Sequence, residues 1–585
     1  MGHAVTDPLD EPGYLTPAQR LVVDAPPDFL LTACPGSGKT RTAGARFVVR
    51  AEAGDRVAAT SYTNIGVDQI REVISSELGR TVGPESFIGT FHKFLLQYVF
   101  HPFGHIVMGC SSPHLVDAEN AGDDVRLNGD NRWRVPLGGF RFRPDGSLLY
   151  CGRGLPGWSR ERVTAAGSAD AAIMKWRAAA RGRATFDDAM YWSLRVLRDV
   201  PGVAAAVAGR FDELMVDEAQ DTSELQLACL IELSGTGRLR SLVLIGDVDQ
   251  SIYAFQGASP QGVYRLVADR GMRSVPLVEN HRSSQLICDV AVHFCSRHRP
   301  DVAVGEHSDF TARPEIVFYD PALPSTATDQ FLGRIAALGI DPTSTTVLAR
   351  NNALVALLNN QAGRVGCASR PTALGRAVMA LRHGTAGRHD LHAVDKVIAY
   401  AAWGEADSLD GLDAEGRREV RNATIGLITA APALGLPLQQ WIRDAAVVLR
   451  GVTSELVAVP ARRPGDVLRS AADQGDVVAG DHFTRPSPGF AARSVHDVKG
   501  ATREAVLVVA RARTSAYRPP EADTWTAHLR GEQVPPEHAE EQRILYVALT
   551  RARKYCAIAL PINTSPAVID SLQRAGFLRR PIDSG

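Results

Sequence analysis

Lysine is scarce in this chain, and one of its six copies closes the run Ala33-Cys-Pro-Gly-Ser-Gly-Lys-Thr40. Small residues at this density let successive backbone N–H groups curl around an anion, a Lys adds a cation, and a Thr hydroxyl can reach a divalent metal. Ala33, Cys34, Pro35, Gly36, Ser37, Gly38, Lys39 and Thr40 are therefore candidates to cradle the β and γ phosphates of ATP, with Mg2+ on Thr40. A second run, Leu214-Met-Val-Asp-Glu-Ala-Gln-Asp221, ends an apolar stretch in adjacent carboxylates. Asp217 would hold Mg2+, and Glu218 would act as general base on the attacking water. An acidic strand cap is the plainer reading of that pair, but the phosphate loop upstream favours the chemical one. A third run, Gly246-Asp-Val-Asp-Gln-Ser-Ile-Tyr-Ala-Phe-Gln-Gly-Ala258, follows the apolar stretch Leu242 to Ile245. Its polar groups at a strand end can sense a phosphate, and Gln250 can bridge two sides through its amide. Tyr253 and Phe255, two positions apart, can offer flat faces to nucleobases. A segment that touches both ATP and a nucleic-acid strand is what a motor needs.

These groups need strand ends to hold them. Phe29–Thr32 reads as a strand running into the Gly-rich turn, followed by a helix over Thr40–Ala51, a strand over Val57–Thr60 and a helix from Ile65 to Leu78. This is the βαβ rhythm of a parallel sheet. The rhythm predicts a first core from residues 1–95 and 185–265. It is broken by an inserted subdomain at 96–184, where Asp145-Gly146 marks the turn of a hairpin over Phe140 to Tyr150. A second α/β unit is expected to open near Ser274–Glu279. It would continue through strands at Glu315–Tyr319 and Thr345–Arg350, and close with Val506–Ala510 and Cys556–Leu560. It would span 266–365 and 488–585 and enclose a mostly helical insertion at 366–487, with helical periodicity around 387–402 and 435–450.

The chain has 585 residues, 45% of them hydrophobic, enough for several domains with cores of their own. Lys+Arg is 64 and Asp+Glu 65, so a net charge of −1 neither demands nor excludes a nucleic-acid partner, which needs only a local basic track. The cations are nearly all Arg, which fits a GC-rich bacterial genome and suggests that Lys39, Lys93, Lys499 and Lys554, each in or beside a motif, are specifically required. Eight Cys without a C-x-x-C spacing argue against a disulfide framework or zinc site and fit a reducing cytoplasm. No apolar run reaches the ~18 residues of a membrane span.

The run at 246–258 resembles the coupling motif of the UvrD/Rep/PcrA helicases of superfamily 1A, GDxDQSIYxWRGA. Phe255 stands for the family Trp and Gln256 for its Arg, so the stacking face is smaller and one cation is lost. The order of motifs from residue 15 to about 553 is similar throughout. The resemblance implies an α/β fold of two RecA-like parallel-sheet P-loop NTPase cores, each with an inserted subdomain. It makes Gln19 the adenine-reading amide and Arg41 a flank of the base. Leu277 to Ser284 resembles the family's NYRS motif and Tyr546 to Arg553 its YVAxTRA motif, so Arg282 and Arg551 would be arginine fingers at the γ-phosphate. His281 replaces the family's adenine-stacking Tyr, which would weaken base selectivity. Thr60-Ser-Tyr-Thr-Asn64 resembles TFTN, with Tyr62 as a base stack and Thr63 and Asn64 on the backbone. Gly89 to Phe94 resembles GTFHS, with His92 and Lys93 as phosphate or base contacts. Arg350 and Asn351 resemble a strand-contacting segment. Ser494 to Val506, with His496, resembles THSAKGLEF. Its ribose-contacting Glu falls at Thr502, with Glu504 two residues on, and leaves that contact unassigned.

The implied activity is an ATP-dependent, Mg2+-requiring DNA helicase or translocase moving 3′→5′ on single-stranded and tailed duplex DNA, in repair, recombination or anti-phage defence. The motif V variant and the short second insertion look like small defence-associated helicases such as the Gabija helicase subunit. The other reading is a partner-dependent regulatory ATPase that senses DNA ends without unwinding alone, favoured by Phe255 and Gln256. A nuclease within the chain is not expected, because only about 30 residues follow Arg553, but a nuclease or defence-system protein could be a partner. No membrane association is expected.

Overall fold

The computed structural model describes residues 8–11, 13–116, 124–152, 155, 158–253, 257, 259–321, 324–350, 352–359, 370–382, 388–404, 414–468, 478–483, 492–512, 519–533 and 539–580. The chain divides into two compact units, 1–321 with 495–585, and 322–494.

In the larger unit, six strands form a wholly parallel sheet. They are β1 (Phe29–Ala33), β2 (Val57–Ser61), β3 (Phe87–Thr90), β4 (Glu213–Asp217), β5 (Ser241–Gly246) and β6 (Arg273–Leu277), in the order β6-β1-β5-β4-β2-β3. Strands β4 and β5 are buried along their whole length, as a parallel sheet covered on both faces requires. Parallel pairing sends all the C-terminal ends to one edge. Thr32 lies beside Gly246, and Asp217 beside Ser61. The phosphate loop, the acidic pair and the Gly246 turn therefore leave the sheet side by side, where open α/β sheets bind ligands.

Strand β6 corrects one expectation. Arg273–Leu277 does not open the second α/β unit but pairs with β1 and completes the first sheet. An apolar pattern reports that a strand exists; its parallel partner lies a crossover away and leaves no local mark.

Around the sheet, α1 (Pro17–Val23) starts with a capping box between Thr16 and Gln19, and α2 (Lys39–Glu52) follows the phosphate loop. The helix expected to Leu78 runs regularly as α3 (Asn64–Glu72), then widens into a π turn over Val73–Glu77. There Val73 packs over Gly44 of α2, so closely that a Cβ on Gly44 would lie 2.5 Å from its Cγ1. The buried Arg46 ties these pieces together. It donates to both carboxylate oxygens of Glu213 (2.9 and 2.7 Å) and to the carbonyls of Val22, Val23 and Ala25, where α1 ends. It thus satisfies carbonyls that a helix terminus leaves without partners.

Within 96–184, the expected hairpin forms as Phe140–Phe142 against Leu148–Tyr150, with Gly146 at φ 86 in the turn. The helix Arg160–Ala180 packs over this region through Gly167, where a Cβ would come within 2.9 Å of Phe140 and Leu127.

The larger unit holds a second parallel arrangement: β7 (Glu315–Tyr319), β8 (Arg503–Val509), β9 (Ala552–Pro561) and β10 (Leu578–Arg579), paired β8-β9-β7-β10. Helix α4 (Ala539–Leu549) leads into β9. The fold is thus α/β with parallel sheets, as expected.

The smaller unit contains a short parallel pair, Thr346–Ala349 with Ala492–Ser494. It also contains the helices Arg370–Arg382, Arg388–Trp403, Ala414–Thr429 and Leu438–Leu456, packed around Leu374, Ile398, Leu427, Trp441 and Leu449. The second and fourth of these helices cover the periodic stretches at 387–402 and 435–450.

Candidate functional site

The phosphate loop is bent by glycine. Gly36 and Gly38 sit at φ 76 and φ 79, in the left-handed region that L side chains rarely adopt. Their surroundings are as restrictive as their backbone. A Cβ on Gly36 would lie 2.5 Å from Arg282 Cβ, and one on Gly38 2.4 Å from Gln19 Nε2. Loop residues Pro35 to Thr40 line a cleft of about 440 Å3, open to solvent, whose walls also include Gln19, Arg41, Glu218, Gln250, Arg282 and Arg551. The structure thus gathers most of the residues expected at the nucleotide into one place. Ala33 and Cys34 lie under the loop, buried, with Cys34 N–H donating to the Leu277 carbonyl (3.0 Å).

Asp217 ends β4 and Glu218 turns away from it at φ 53, ψ 40, a left-handed conformation that costs a non-glycine residue about 1–2 kcal/mol. The turn aims the two carboxylates differently. Glu218 Oε1 lies 3.4 Å from Lys39 Nζ, and Glu218 Oε2 lies 2.5 Å from Gln220 Nε2 and 3.9 Å from Lys499 Nζ. Burial alone would raise the Glu218 pKa, but Lys39, Lys499 and the Gln220 hydrogen bond outweigh it and hold the group down at about 2. Burial, reinforced by the Glu218 charge, pushes Asp217 up to about 7. Among the described residues, no group bonds to the buried Asp217 Oδ1. An orphaned carboxylate oxygen close enough to Lys39 of the phosphate loop for their charges to interact is a hard donor of the kind that fits Mg2+, and a divalent cation would favour its ionised form.

Three cations come from the second α/β part of the unit. Arg551 is buried and donates from Nη2 to Gln250 Oε1 (2.9 Å), while Gln250 Nε2 donates to Asp247 Oδ2 (2.9 Å). Arg282 donates to the Thr550 carbonyl (3.1 Å). Burial and repulsion from Arg551 and Arg553 depress Arg282 to about 9, and burial depresses Arg551 to about 10. Guanidinium groups stay charged, so the Arg282 shift registers burial in a positive field and the Arg551 shift registers burial alone; an anion in the cleft would relieve both. The third cation, Lys499, was legible only as part of a motif. Its Nζ pairs with the buried Asp221 and donates to the Gln250 carbonyl (2.8 Å). No periodicity could have paired residues 278 positions apart; only scarcity of Lys marked it.

At the far end of the cleft, Gln19 is committed first to the protein. Its Oε1 accepts from Thr16 N–H (3.0 Å) and its Nε2 donates to the Ser37 carbonyl (2.9 Å). One N–H and one lone pair remain for a base. Tyr14, which belongs to none of the motifs, also lines the cleft. Its hydroxyl donates to Glu77 (3.0 Å), and Arg41 stands over its ring at 5.2 Å while pairing with the same carboxylate (3.1 Å). His281 is exposed at the rim. Of the two positions left open for a sugar contact, Thr502 lines the cleft, whereas Glu504 is paired with Lys554 (2.8 Å) and Arg553 (3.1 Å).

The residues expected on a nucleic-acid strand are less uniform. Tyr62 and Tyr253 face each other with ring centroids 5.5 Å apart. His496 stands edge-on to Tyr253 at 5.8 Å, and Lys499 Nζ lies 4.9 Å from the Tyr253 ring. These four form one cluster. Thr63 caps α3 by accepting from Gly66 N–H, and Asn64 and Lys93 are exposed. His92 is half-buried, stacked on the exposed ring of Phe186 at 4.9 Å and bonded to Gln226 (2.9 Å), and burial lowers its pKa. Arg350 follows the strand Thr346–Ala349 in the smaller unit. Phe255, Gln256 and Asn351 lie outside the described residues.

The family model for the UvrD/REP helicase N-terminal domain matches residues 15–119 and 160–269. The chain is 25% identical over 310 residues to ATP-dependent DNA helicase UvrD1 of Mycobacterium leprae, covering 48% of this chain and 40% of that protein. It is 25% identical over 279 residues to ATP-dependent DNA helicase PcrA of Leuconostoc citreum, covering 45% and 36%. With ATP-dependent DNA helicase UvrD2 of Mycobacterium bovis it shares 25% identity over 420 residues, covering 67% and 53%. The chain spans about half the length of these curated relatives, or less. Among the described residues, no helix is long and apolar enough to cross a membrane.

Proposed function

We propose that this UvrD-like chain, whose residues 15–119 and 160–269 match the UvrD/REP helicase N-terminal domain, is an ATP-driven DNA translocase and helicase. The observation that carries the reading is the turn at Gln250. Its side chain is held by Arg551 from the nucleotide cleft, and its carbonyl by Lys499, which also lies against Tyr253 in the aromatic cluster. One turn thus belongs to both a phosphate site and a stacking site. That juxtaposition suits a machine in which hydrolysis changes the grip on a strand.

In this reading the γ-phosphate draws Lys39 away from Glu218. The freed carboxylate, released from the Lys39 charge that holds its pKa down, becomes the stronger base that orients the attacking water and accepts its proton. Arg282 and Arg551 stabilise charge on the transferring phosphoryl group. Mg2+ on Thr40 and Asp217 would neutralise the β and γ oxygens. Tyr62 and Tyr253 would stack bases without regard to sequence. The resemblance supports 3′→5′ movement and a role in repair, recombination or defence. Lys39 and Lys499 both lie against Glu218, and this favours the second reading, a partner-dependent regulatory ATPase that senses DNA ends without unwinding alone and stays idle until a partner protein releases the base.

ATP hydrolysis measured with and without single-stranded DNA, with Lys39→Ala as the blank, separates the two. Strong stimulation absent from the variant supports the motor, and tailed duplexes then test its direction. Hydrolysis indifferent to DNA would rule the motor out.

A further inference from the structure

We propose that Arg543 is the positioning residue that passes the state of the nucleotide cleft to the aromatic cluster. The proposal rests on the motor reading above.

Arg543 lies in α4, and Arg551 lies in the turn two residues past the end of that helix. The two side chains converge on consecutive residues. Arg551 Nη2 donates to Gln250 Oε1 (2.9 Å), and Arg543 Nε donates to the Ser251 carbonyl (2.7 Å). Arg551 lines the cleft, and Arg543 does not. Ser251 is buried, and the next carbonyl, of Ile252, is bonded to the His496 ring (3.1 Å). Tyr253 follows directly. The other side of the turn is pinned, because Asp249 accepts from Ser296 N–H (2.8 Å) and from its hydroxyl (3.0 Å). The turn is therefore fixed on one flank and held by α4 on the other.

An anion that draws Arg551 off Gln250 loosens one of the two links that α4 and the turn following it make to the Gln250 segment. Arg543 keeps the second link, so a shift of α4 still moves Ser251 and the segment ending at Tyr253. Its half-buried guanidinium bonds to a backbone carbonyl, an acceptor that is present whatever side chain position 251 carries. Removal of this link leaves Lys39, Glu218, Arg282 and Arg551 intact. The expected defect is therefore loss of communication with hydrolysis retained.

The test compares Arg543→Gln and Arg543→Lys with wild type. The readouts are kcat and KM for ATP with and without a poly-dT oligonucleotide, and oligonucleotide affinity with and without a non-hydrolysable ATP analogue. In Arg543→Gln, basal kcat and KM should stay within about twofold, while stimulation by the oligonucleotide falls about tenfold, within the usual span of site-to-site coupling. The analogue should no longer change oligonucleotide affinity, and Arg543→Lys should restore part of both effects. Wild-type stimulation in Arg543→Gln would overturn the proposal. So would a fall of basal and stimulated rates together, which marks a purely structural role. A wild-type enzyme insensitive to the oligonucleotide would overturn the motor reading and this proposal with it.

Discussion

The two halves of the candidate site are built on different principles. The phosphate half is made of backbone: two left-handed glycines, the ends of parallel strands and a helix start, with side chains added at fixed offsets. The strand-facing half is made of side chains on turns, each oriented by distant partners. His92 shows the difference. Its motif places it beside Lys93 on the strand-facing side, yet its ring is packed against Phe186 and Gln226. Backbone geometry is written locally; the exposure of an aromatic or imidazole ring is decided by whatever folds over it.

Substitutions can break this contrast or refine it. The largest effect should come from Glu218→Gln, which keeps the shape of the phosphate half but removes its base. DNA-stimulated kcat should fall about 10²–10⁴-fold with ATP binding retained. Equal turnover by wild type and variant would move the general base elsewhere. Next is Arg46→Ala, which leaves buried Glu213 and three carbonyls without their partner. Chemical denaturation should show a loss of about 3–5 kcal/mol, with a smaller loss for Arg46→Met. If the loss is negligible, the scaffold under the phosphate half does not depend on that link. On the other half, Tyr253→Ala should weaken single-strand binding by about 1–3 kcal/mol while leaving basal hydrolysis alone. An unchanged oligonucleotide titration would make the Tyr62–Tyr253 pair a packing contact. The smallest DNA effect should belong to His92→Ala, whose affinity should change by less than about 0.5 kcal/mol, with the cost seen in thermal stability instead. A large affinity loss there would place His92 on the strand after all.

The sequence was most legible where chemistry and secondary structure share one stretch. The strand Phe29–Ala33 and its loop, the Asp217-Glu218 strand end and the hairpin at Asp145-Gly146 all announce themselves within ten residues. Pairings across the chain did not. The edge strand Arg273–Leu277 read as the start of a new unit because nothing in it names β1 as its neighbour. Lys499 with Asp221, Arg46 with Glu213 and Tyr14 with Arg41 each join segments that only the fold brings together. The choice between Thr502 and Glu504 likewise waited on Arg553 and Lys554, which occupy the carboxylate.

The conformation of Glu218 sets stability against activity at a single residue. Its backbone adopts a shape that glycine takes freely, while its side chain is the proposed general base. Glu218→Gly would relax the turn and abolish the base in the same step. Screening variants of this chain for thermal resilience alone would therefore reward inactivation at this position, and any engineering of a hardier form must score turnover alongside melting.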